Sequence, residues 1–349
     1  MAEIKYVPPS YKISDKVVCL VVNTELMLKD ISNADISAAS TSKLVDAATF
    51  DNLYFLSQIV GKPLTRGEIK KIAVGRFPTT PLHKLLSNYR SVMEYTRSLI
   101  SSSLGDFSYN TLLHANKLLC VGLVDEWDTG RIRTPTDRID DRFEIFPPKK
   151  IDSLIVAKLL PQFVSWLSSG YDIHPFFKSV VLLSDLIQMY PFPVLNTATT
   201  IAAFDIFMNL SGLGGDGIVP VVRILGEELE EFKDIYKGVV TSGEEIEPLI
   251  EFVALEWNKI VNEVRGEVVK LSYHEEVKGK TKFLNLNHRQ LAVLRYLQNH
   301  PKITRREFMK LFKVSTMTAY RDLSDLLEKK LLVAQGLGRG TYYVLFTKG

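Results

Sequence analysis

Chemistry in this 349-residue chain would have to come from two cysteines, six histidines, one glycine run or the charged groups near its C-terminal end. Cys19 and Cys120 stand about a hundred residues apart without a CxxC partner. A zinc site or a disulfide framework is therefore not expected, and both read as small buried thiols of a reducing compartment. His83, His114, His174, His274, His288 and His300 show no HxxxH or HExxH spacing, so no metal site is expected from them. Gly212-Leu-Gly-Gly-Asp-Gly217 matches GxGxxG letter for letter. That motif cradles a pyrophosphate only between a strand and a helix start. Here the helical stripe Ile201, Phe204, Phe207, Met208 precedes it and no acidic residue in a second-strand context follows. It reads as a loop between two helices.

The charged groups say more. The net charge is +3, but residues 283–349 hold 12 Lys and Arg against 4 Asp and Glu, a net +8. The other 282 residues hold 31 basic and 36 acidic groups, a net −5. A basic block confined to one end is the electrostatic footprint of a nucleic-acid contact. Its elements fit that reading. Leu291, Leu294 and Leu297 make one helical stripe, ended by Pro301. Thr304 with Glu307 three residues on is a capping box for a second helix to Phe312. Ser315 then caps a third helix through Lys330, and Val333–Phe346 holds two strand-like runs around Gly336–Gly340. Three helices and a glycine-tipped hairpin describe a winged helix-turn-helix. On the third helix Ala319, Leu323, Leu326 and Leu327 share the inward face, opposite Met317, Tyr320, Arg321 and Ser324. Thr316, Met317, Tyr320 and Arg321, with Arg339 at the wing tip, are the candidate DNA-binding residues, and Lys302, Arg305, Arg306, Lys310 and Lys313 add local charge. Val-Ser-x-x-Thr-Ala-x-Arg-Asp-Leu resembles the recognition helix of bacterial winged-helix repressors, although such domains also serve as protein-docking modules.

The rest of the chain is read mostly as helix. Residues 1–30 suggest a lead-in strand or extended arm, because Pro8 and Pro9 block an early helix. Leu82, Leu85, Leu86, Tyr89, Val92 and Met93 recur at three and four, as do Leu112, Ala115, Leu118 and Leu119. Thr129–Pro148 reads as an extended hairpin stopped by Pro147 and Pro148. Helices follow over Ile151–Ser168, Pro175–Met189, Thr197–Leu210, Val219–Tyr236 and Glu247–Leu271. Ser272–Lys282 is polar and reads as a linker. No apolar run reaches the ~18 residues of a membrane span, and the N-terminus lacks the pattern of a signal peptide. A cytoplasmic protein is expected.

Several of these segments, in order over about Val45–Gly266, resemble the Fic family (filamentation induced by cAMP), which transfers nucleotide monophosphates to hydroxyl groups. Phe143–Pro148 is similar to the family's substrate-positioning flap and proline run. Leu160–Leu167, with Trp166, is similar to the helix after the flap. Asp172-Ile-His-Pro175 opens a helix that ends at Met189-Tyr-Pro-Phe192, where the family motif HPFx[DE]GNGRxxR belongs. Leu56-Ser-Gln-Ile-Val-Gly-Lys-Pro-Leu-Thr65 is similar to the family's inhibitory helix, SSxIEGxxxT.

The resemblance also shows what is missing. Tyr190 stands where the family has its general-base His, and a phenol with a pKa near ~10 is a poor base at neutral pH. Val194 replaces the carboxylate that holds Mg²⁺, a cation that wants oxygen. Leu195 and Thr197 replace the two glycines that let backbone N–H groups approach phosphate. Ala198 and Ile201 replace the two arginines of the phosphate clamp. Only Pro191, Phe192 and Asn196 keep their types. Removing one such contact typically costs ~3 kcal/mol of transition-state stabilisation. In the family the inhibitory Glu pairs with the second motif Arg. Here those positions are Val60 and Ile201, so both halves of one ion pair have become apolar, a substitution that packing tolerates.

The expected architecture is mainly α: an N-terminal arm (1–40), a Fic-like helical domain with a small β-hairpin flap (41–271), a linker (272–282) and a winged helix-turn-helix of three helices and a β-wing (283–349). The expected function is a DNA-binding transcriptional regulator carrying a degenerate, inactive adenylyltransferase site, with no metal or cofactor. ATP and Mg²⁺ enter only if the altered site is active, the alternative reading being a protein nucleotidyltransferase or a protein-binding pseudoenzyme partner of an active Fic protein. Double-stranded DNA and a second copy of the chain are the expected partners.

Overall fold

Most helix starts are written as a hydroxyl, carboxylate or carboxamide followed by an apolar stripe. Ser14, Ser37, Thr65, Thr80, Ser108, Asp152, Asn287, Thr304 and Ser315 each accept a backbone N–H of the first turn they precede. Pro81 and Pro175 stand at first helical positions, where no N–H is needed. The computed structural model of the chain describes residues 4–61, 63–75, 78–102, 106–140, 142–145, 151–169, 172–239, 245–283, 286–336 and 338–346. They divide into two compact units, Met1–Lys270 and Leu271–Gly349.

The first unit is helical. Its elements are α1 (Asp15–Asn33), α2 (Ala38–Ile59), α3 (Arg66–Ala73), α4 (Pro81–Ser101), α5 (Tyr109–Cys120), α6 (Ser153–Ser168), α7 (Pro175–Met189), α8 (Asn196–Leu210), the short α9 (Arg223–Gly226), α10 (Leu229–Lys237) and the start of α11 (Glu247–Phe283). α7 and α8 pack on each other, and α8 also packs on α4 and α5. Every residue of α8 from Asn196 to Asn209 is buried. A helix buried on every side belongs in the middle of a fold, and α8 is that helix here.

The structure differs from the sequence reading in five places. Residues 15–33 are helix rather than extended arm. The stripe Val17, Val21, Thr24, Leu28, Ile31 is buried, and the two prolines affect only the residues before it. Residues 4–14 precede α1 without regular secondary structure, and there the Tyr6 hydroxyl donates to Asp185 at 2.7 Å. Ser272–Lys282, expected as a linker after a helix ending at Leu271, is itself helical and continues α11. The helix expected over 219–236 is broken into α9 and α10, with Gly226 packed so closely on Phe55 that a Cβ would lie 2.8 Å from that side chain. The described residues of 129–145 contain no strand, and Pro147 and Pro148 lie outside the described residues. Cys120 is buried, but Cys19 is exposed. The glycine run 212–217 does follow a helix, with Gly212, Gly215 and Gly217 at positive φ.

The second unit holds α12 (His288–Asn299), β1 (Ile303–Thr304), α13 (Arg305–Phe312), α14 (Thr316–Glu328), β2 (Leu332–Gln335) and β3 (Tyr342–Leu345). The three strands form an antiparallel sheet in the order β1-β3-β2, with Ile303 opposite Tyr343 and Leu332 opposite Leu345. Val293, Leu297, Phe308, Ala319, Leu323 and Leu326 fill its core with Tyr343. The Thr304–Glu307 capping box is present. Between β2 and β3 the chain passes so close to itself that a Cβ on Gly336 would lie 2.5 Å from the Gly340 carbonyl oxygen. A buried carboxylate ties the helices together: Asp322 of α14 accepts from Asn287 at 2.8 Å and from Arg289 Nε at 2.7 Å.

Within the first unit, Asp205 is enclosed in α8, where it accepts from the Tyr89 hydroxyl and from Asn209, both at 2.9 Å. Burial pushes its carboxyl up to about 6, opposed by those bonds and by the charge of Arg97. A carboxyl raised in the folded state holds its proton more tightly there than in the unfolded chain. Stability therefore rises as the pH falls from above 6 towards the ordinary range of about 4. The uncharged Asp205→Asn variant lacks this gain. Urea unfolding at pH 7.5 and at pH 5 should show the wild type gaining stability relative to Asp205→Asn at the lower pH. A gap independent of pH would contradict the assignment.

Candidate functional site

The turn between α7 and α8 carries the positions that resemble a catalytic motif. It is bounded by two left-handed residues, Tyr190 at φ 48° closing α7 and Leu195 at φ 57° opening α8. Such a conformation costs a β-substituted residue roughly 1–2 kcal/mol, which the surroundings must offset. Leu195, which the resemblance sets against the first of the family's two glycines, has a backbone conformation that glycine adopts readily. The turn is held from three sides. The Asn116 carboxamide donates to the Val194 carbonyl at 3.3 Å and to Thr199 Oγ1 at 3.0 Å, and accepts from Gly130 N–H at 2.8 Å. Arg133 donates from Nε to the Tyr190 carbonyl and from Nη2 to the Ile151 carbonyl, each at 2.6 Å. Backbone N–H groups of Arg133 and Asp140 donate to the carbonyls of Pro191 and Pro193 at 2.9 and 3.0 Å. The first part of the segment expected as a hairpin thus lies along the turn through main-chain bonds.

Leu195 cannot cap α8 with its side chain. Glu144 does so from 52 residues earlier in the chain. Its carboxylate accepts from the N–H of Asn196 at 2.6 Å, from the N–H of Thr197 at 2.8 Å and from Thr197 Oγ1 at 2.6 Å. Two N–H groups at a helix start, aided by the helix dipole, form an anion site, and here the anion belongs to the chain. Burial pushes the Glu144 carboxyl up, while hydrogen bonds from Thr197, Asn196 and Tyr190 pull it back. Sequence reasoning passed over Glu144. The signal that points to it is negative: a buried helix opening on Leu195 has no capping side chain of its own and needs an acceptor from elsewhere.

The remaining motif positions are closed off. Tyr190, Pro191, Phe192, Val194, Leu195, Asn196, Thr197, Ala198 and Ile201 are all buried, Tyr190 at 1% and Ile201 at 2% exposure. Asn196 turns its carboxamide back on the turn, accepting from Phe192 N–H and donating to the Phe192 carbonyl, both at 2.9 Å. Val60, just after α2, and Ile201, in α8, are each buried, and both α2 and α8 pack on α4. A cavity of about 20 Å³ beside α8, lined by Asn52, Arg97, Asp205 and Asn209 among others, has room for one water. Among the described residues no group of three or more His, Cys, Asp or Glu gathers where it would hold a metal ion.

The second candidate surface is the first half of α14. Ser315 caps it, accepting from Thr318 N–H at 3.2 Å. Thr316, Met317, Tyr320 and Arg321 are all exposed, while Ala319, Leu323 and Leu326 are buried. Arg305, at the start of α13, lays its guanidinium carbon 5.1 Å from the Tyr320 ring centroid. Arg306, Lys310 and Lys313 are exposed nearby in the sequence. Arg339 lies in the short turn Gly338–Gly340, and its side chain falls outside the described residues. Among the described residues, no helix is long and apolar enough to cross a membrane.

Removing the Glu144 carboxylate strips α8 of its cap and leaves two buried N–H groups without an acceptor. Glu144→Ala should destabilise the first unit by about 2 kcal/mol, the range of a lost cap or a charge-assisted hydrogen bond. Glu144→Gln, which keeps one acceptor oxygen, should recover part of that. Urea unfolding of the full chain measures both, and an Ala variant as stable as wild type would contradict the role given to Glu144.

Residues 289–341 match the family model of the DeoR-like helix-turn-helix domain. A comparison with curated proteins gives no match. Among solved structures the chain is similar to a Fic family protein from Desulfovibrio desulfuricans G20, at 18% identity and a TM-score of 0.58 over 99% of each chain. It is also similar to Fic-1 from C. elegans, at 19% identity and a TM-score of 0.57 over 71% of this chain and 72% of that one. A Fic domain containing signaling protein from Bacteroides thetaiotaomicron VPI-5482 aligns at 11% identity and a TM-score of 0.50, over 74% of this chain and 98% of the other. At these identities the shared property is the path of the backbone. The chain has the fold of Fic family proteins and ends in a DeoR-like helix-turn-helix domain.

Proposed function

We propose that the chain is a DNA-binding transcriptional regulator in which the Fic fold serves as a scaffold. The observation that carries this reading is the exposed face of α14, with Thr316, Met317, Tyr320 and Arg321 turned to solvent, in a region (residues 283–349) that carries a net +8. Among the described residues, no ion pair involves Arg305, Arg306, Lys310, Lys313 or Arg321. Such cations are available to phosphate, and a recognition helix contacts bases through its N-terminal residues. A cytoplasmic location and a twofold-symmetric dimer belong to the same reading, since paired half-sites call for paired readers.

The fold's relatives imply ATP and Mg²⁺, and the residues here do not fit them. Val194 offers a divalent cation no oxygen from its side chain. The helix start that would receive phosphate already holds the Glu144 carboxylate at 2.6–2.8 Å. A second anion there would meet like charge at short range and low dielectric.

Two measurements test the reading. Full-length protein incubated with labelled ATP and Mg²⁺ should incorporate no label into itself or added protein, and incorporation abolished by Tyr190→Phe would overturn the scaffold role. Binding to a mixed pool of duplexes should weaken steeply with salt, each phosphate contact contributing about 0.9 to the log–log slope. If Arg321 touches only phosphate, Arg321→Ala should lower that slope by about one on every sequence. Affinity indifferent to salt and to Arg321→Ala would move the domain to protein docking. Light scattering at tens of micromolar should give the mass of two chains.

A further inference from the structure

The exposed face of α14 carries an unusual selection of side chains for a surface that reads DNA. In its first two turns the chemistry turned to solvent is that of Thr316, Met317, Tyr320 and Arg321. The acid in those turns, Asp322, is buried and held by Asn287 and Arg289. Neither carboxamide nor free carboxylate is presented there. The paired contacts that Asn or Gln make with adenine, and the acceptor that Asp or Glu offers cytosine, are thus missing from the face. Two modes remain. Arg321 suits guanine or phosphate. Met317 and Tyr320, 61% and 50% exposed, have only apolar surface and one hydroxyl to offer.

The floor of the major groove displays one apolar group, the 5-methyl of thymine. Tyr320 is also not left to swing. The Arg305 guanidinium sits 5.1 Å from its ring centroid, and Arg305 Nε is buried without a hydrogen-bond partner. A cation against the ring face holds the aromatic plane while its other N–H groups stay available to a backbone phosphate. We propose that Met317 and Tyr320 read thymine through its methyl group, with Arg305 as the residue that positions the Tyr320 ring. This rests on the DNA-binding reading above and adds to it the base that is recognised.

The test separates the two. The full-length chain is used to select duplexes from a pool with a randomised core. The selected duplex is then resynthesised with deoxyuridine in place of each thymidine in turn, a change that removes only the methyl group. At the contacted positions affinity should fall about fourfold per methyl, the worth of burying one carbon group. In Met317→Ala or Tyr320→Ala the thymidine and deoxyuridine duplexes should bind equally at the matching position. Arg305→Lys keeps the charge without the planar face. It should retain the salt slope yet lose part of the discrimination assigned to Tyr320, which a merely structural role would not move. A selected duplex in which every deoxyuridine is tolerated, or a pool bound with no sequence enriched, would overturn thymine reading and leave DNA binding standing. A pool from which nothing is retained at low salt would overturn both.

Discussion

Helix α8 is buried along almost its whole length, and a buried helix must satisfy its first N–H groups inside the protein. The Glu144 carboxylate meets that need at the Asn196 and Thr197 N–H groups. Much else follows from this one contact. It draws the segment before Pro147 onto the start of α8, where Arg133 and Asp140 continue the attachment through the carbonyls of residues 190–193. It lets Leu195 sit at the N-cap, a position that apolar residues normally serve badly. It also settles the electrostatics of the turn, because the partial positive charge at the helix start is already balanced by a full negative one.

How much of this was legible depends on whether local chemistry or a distant partner decides the structure. The α7 bounds follow from Pro175 at the first position and from the apolar run up to Met189, both local signals. The winged helix-turn-helix was equally legible, since Thr304, Glu307 and Ser315 announce their helices and the inward stripe of α14 has a clear period. Glu144 was not, because its partners lie 52 residues away and its own neighbourhood carries no periodic pattern. The α1 helix was hidden behind Pro8 and Pro9, whose influence was carried too far along the chain. In Ser272–Lys282 polarity does not end the helix, because polar residues propagate a helix that is already running. The 219–236 region is interrupted at Glu228, which leaves the helical conformation (φ −107°, ψ 55°), while Gly226, still within α9, lets Phe55 pack close.

The two units solve a shared problem with different partners. In the first, buried polar groups such as Asp205 are satisfied by Tyr89 and Asn209 within a large apolar core. In the second, the core is small, and Asp322 with Arg289 and Asn287 fixes α14 against α12. That fixation keeps the exposed residues of α14 in one orientation on a domain with few layers to brace it. A buried acid whose partners come from another helix specifies the helix rotation as well as its attachment.

The left-handed Leu195 has an implication for how such a turn changes over time. Its conformation is imposed by the Asn116, Arg133 and Glu144 bonds around it rather than by its own preference. The route of the main chain and the chemistry displayed along it are therefore under separate control. Side chains at the turn that take no part in those bonds can change while the mould that shapes them persists. A turn built this way holds its course whichever of those remaining side chains it carries.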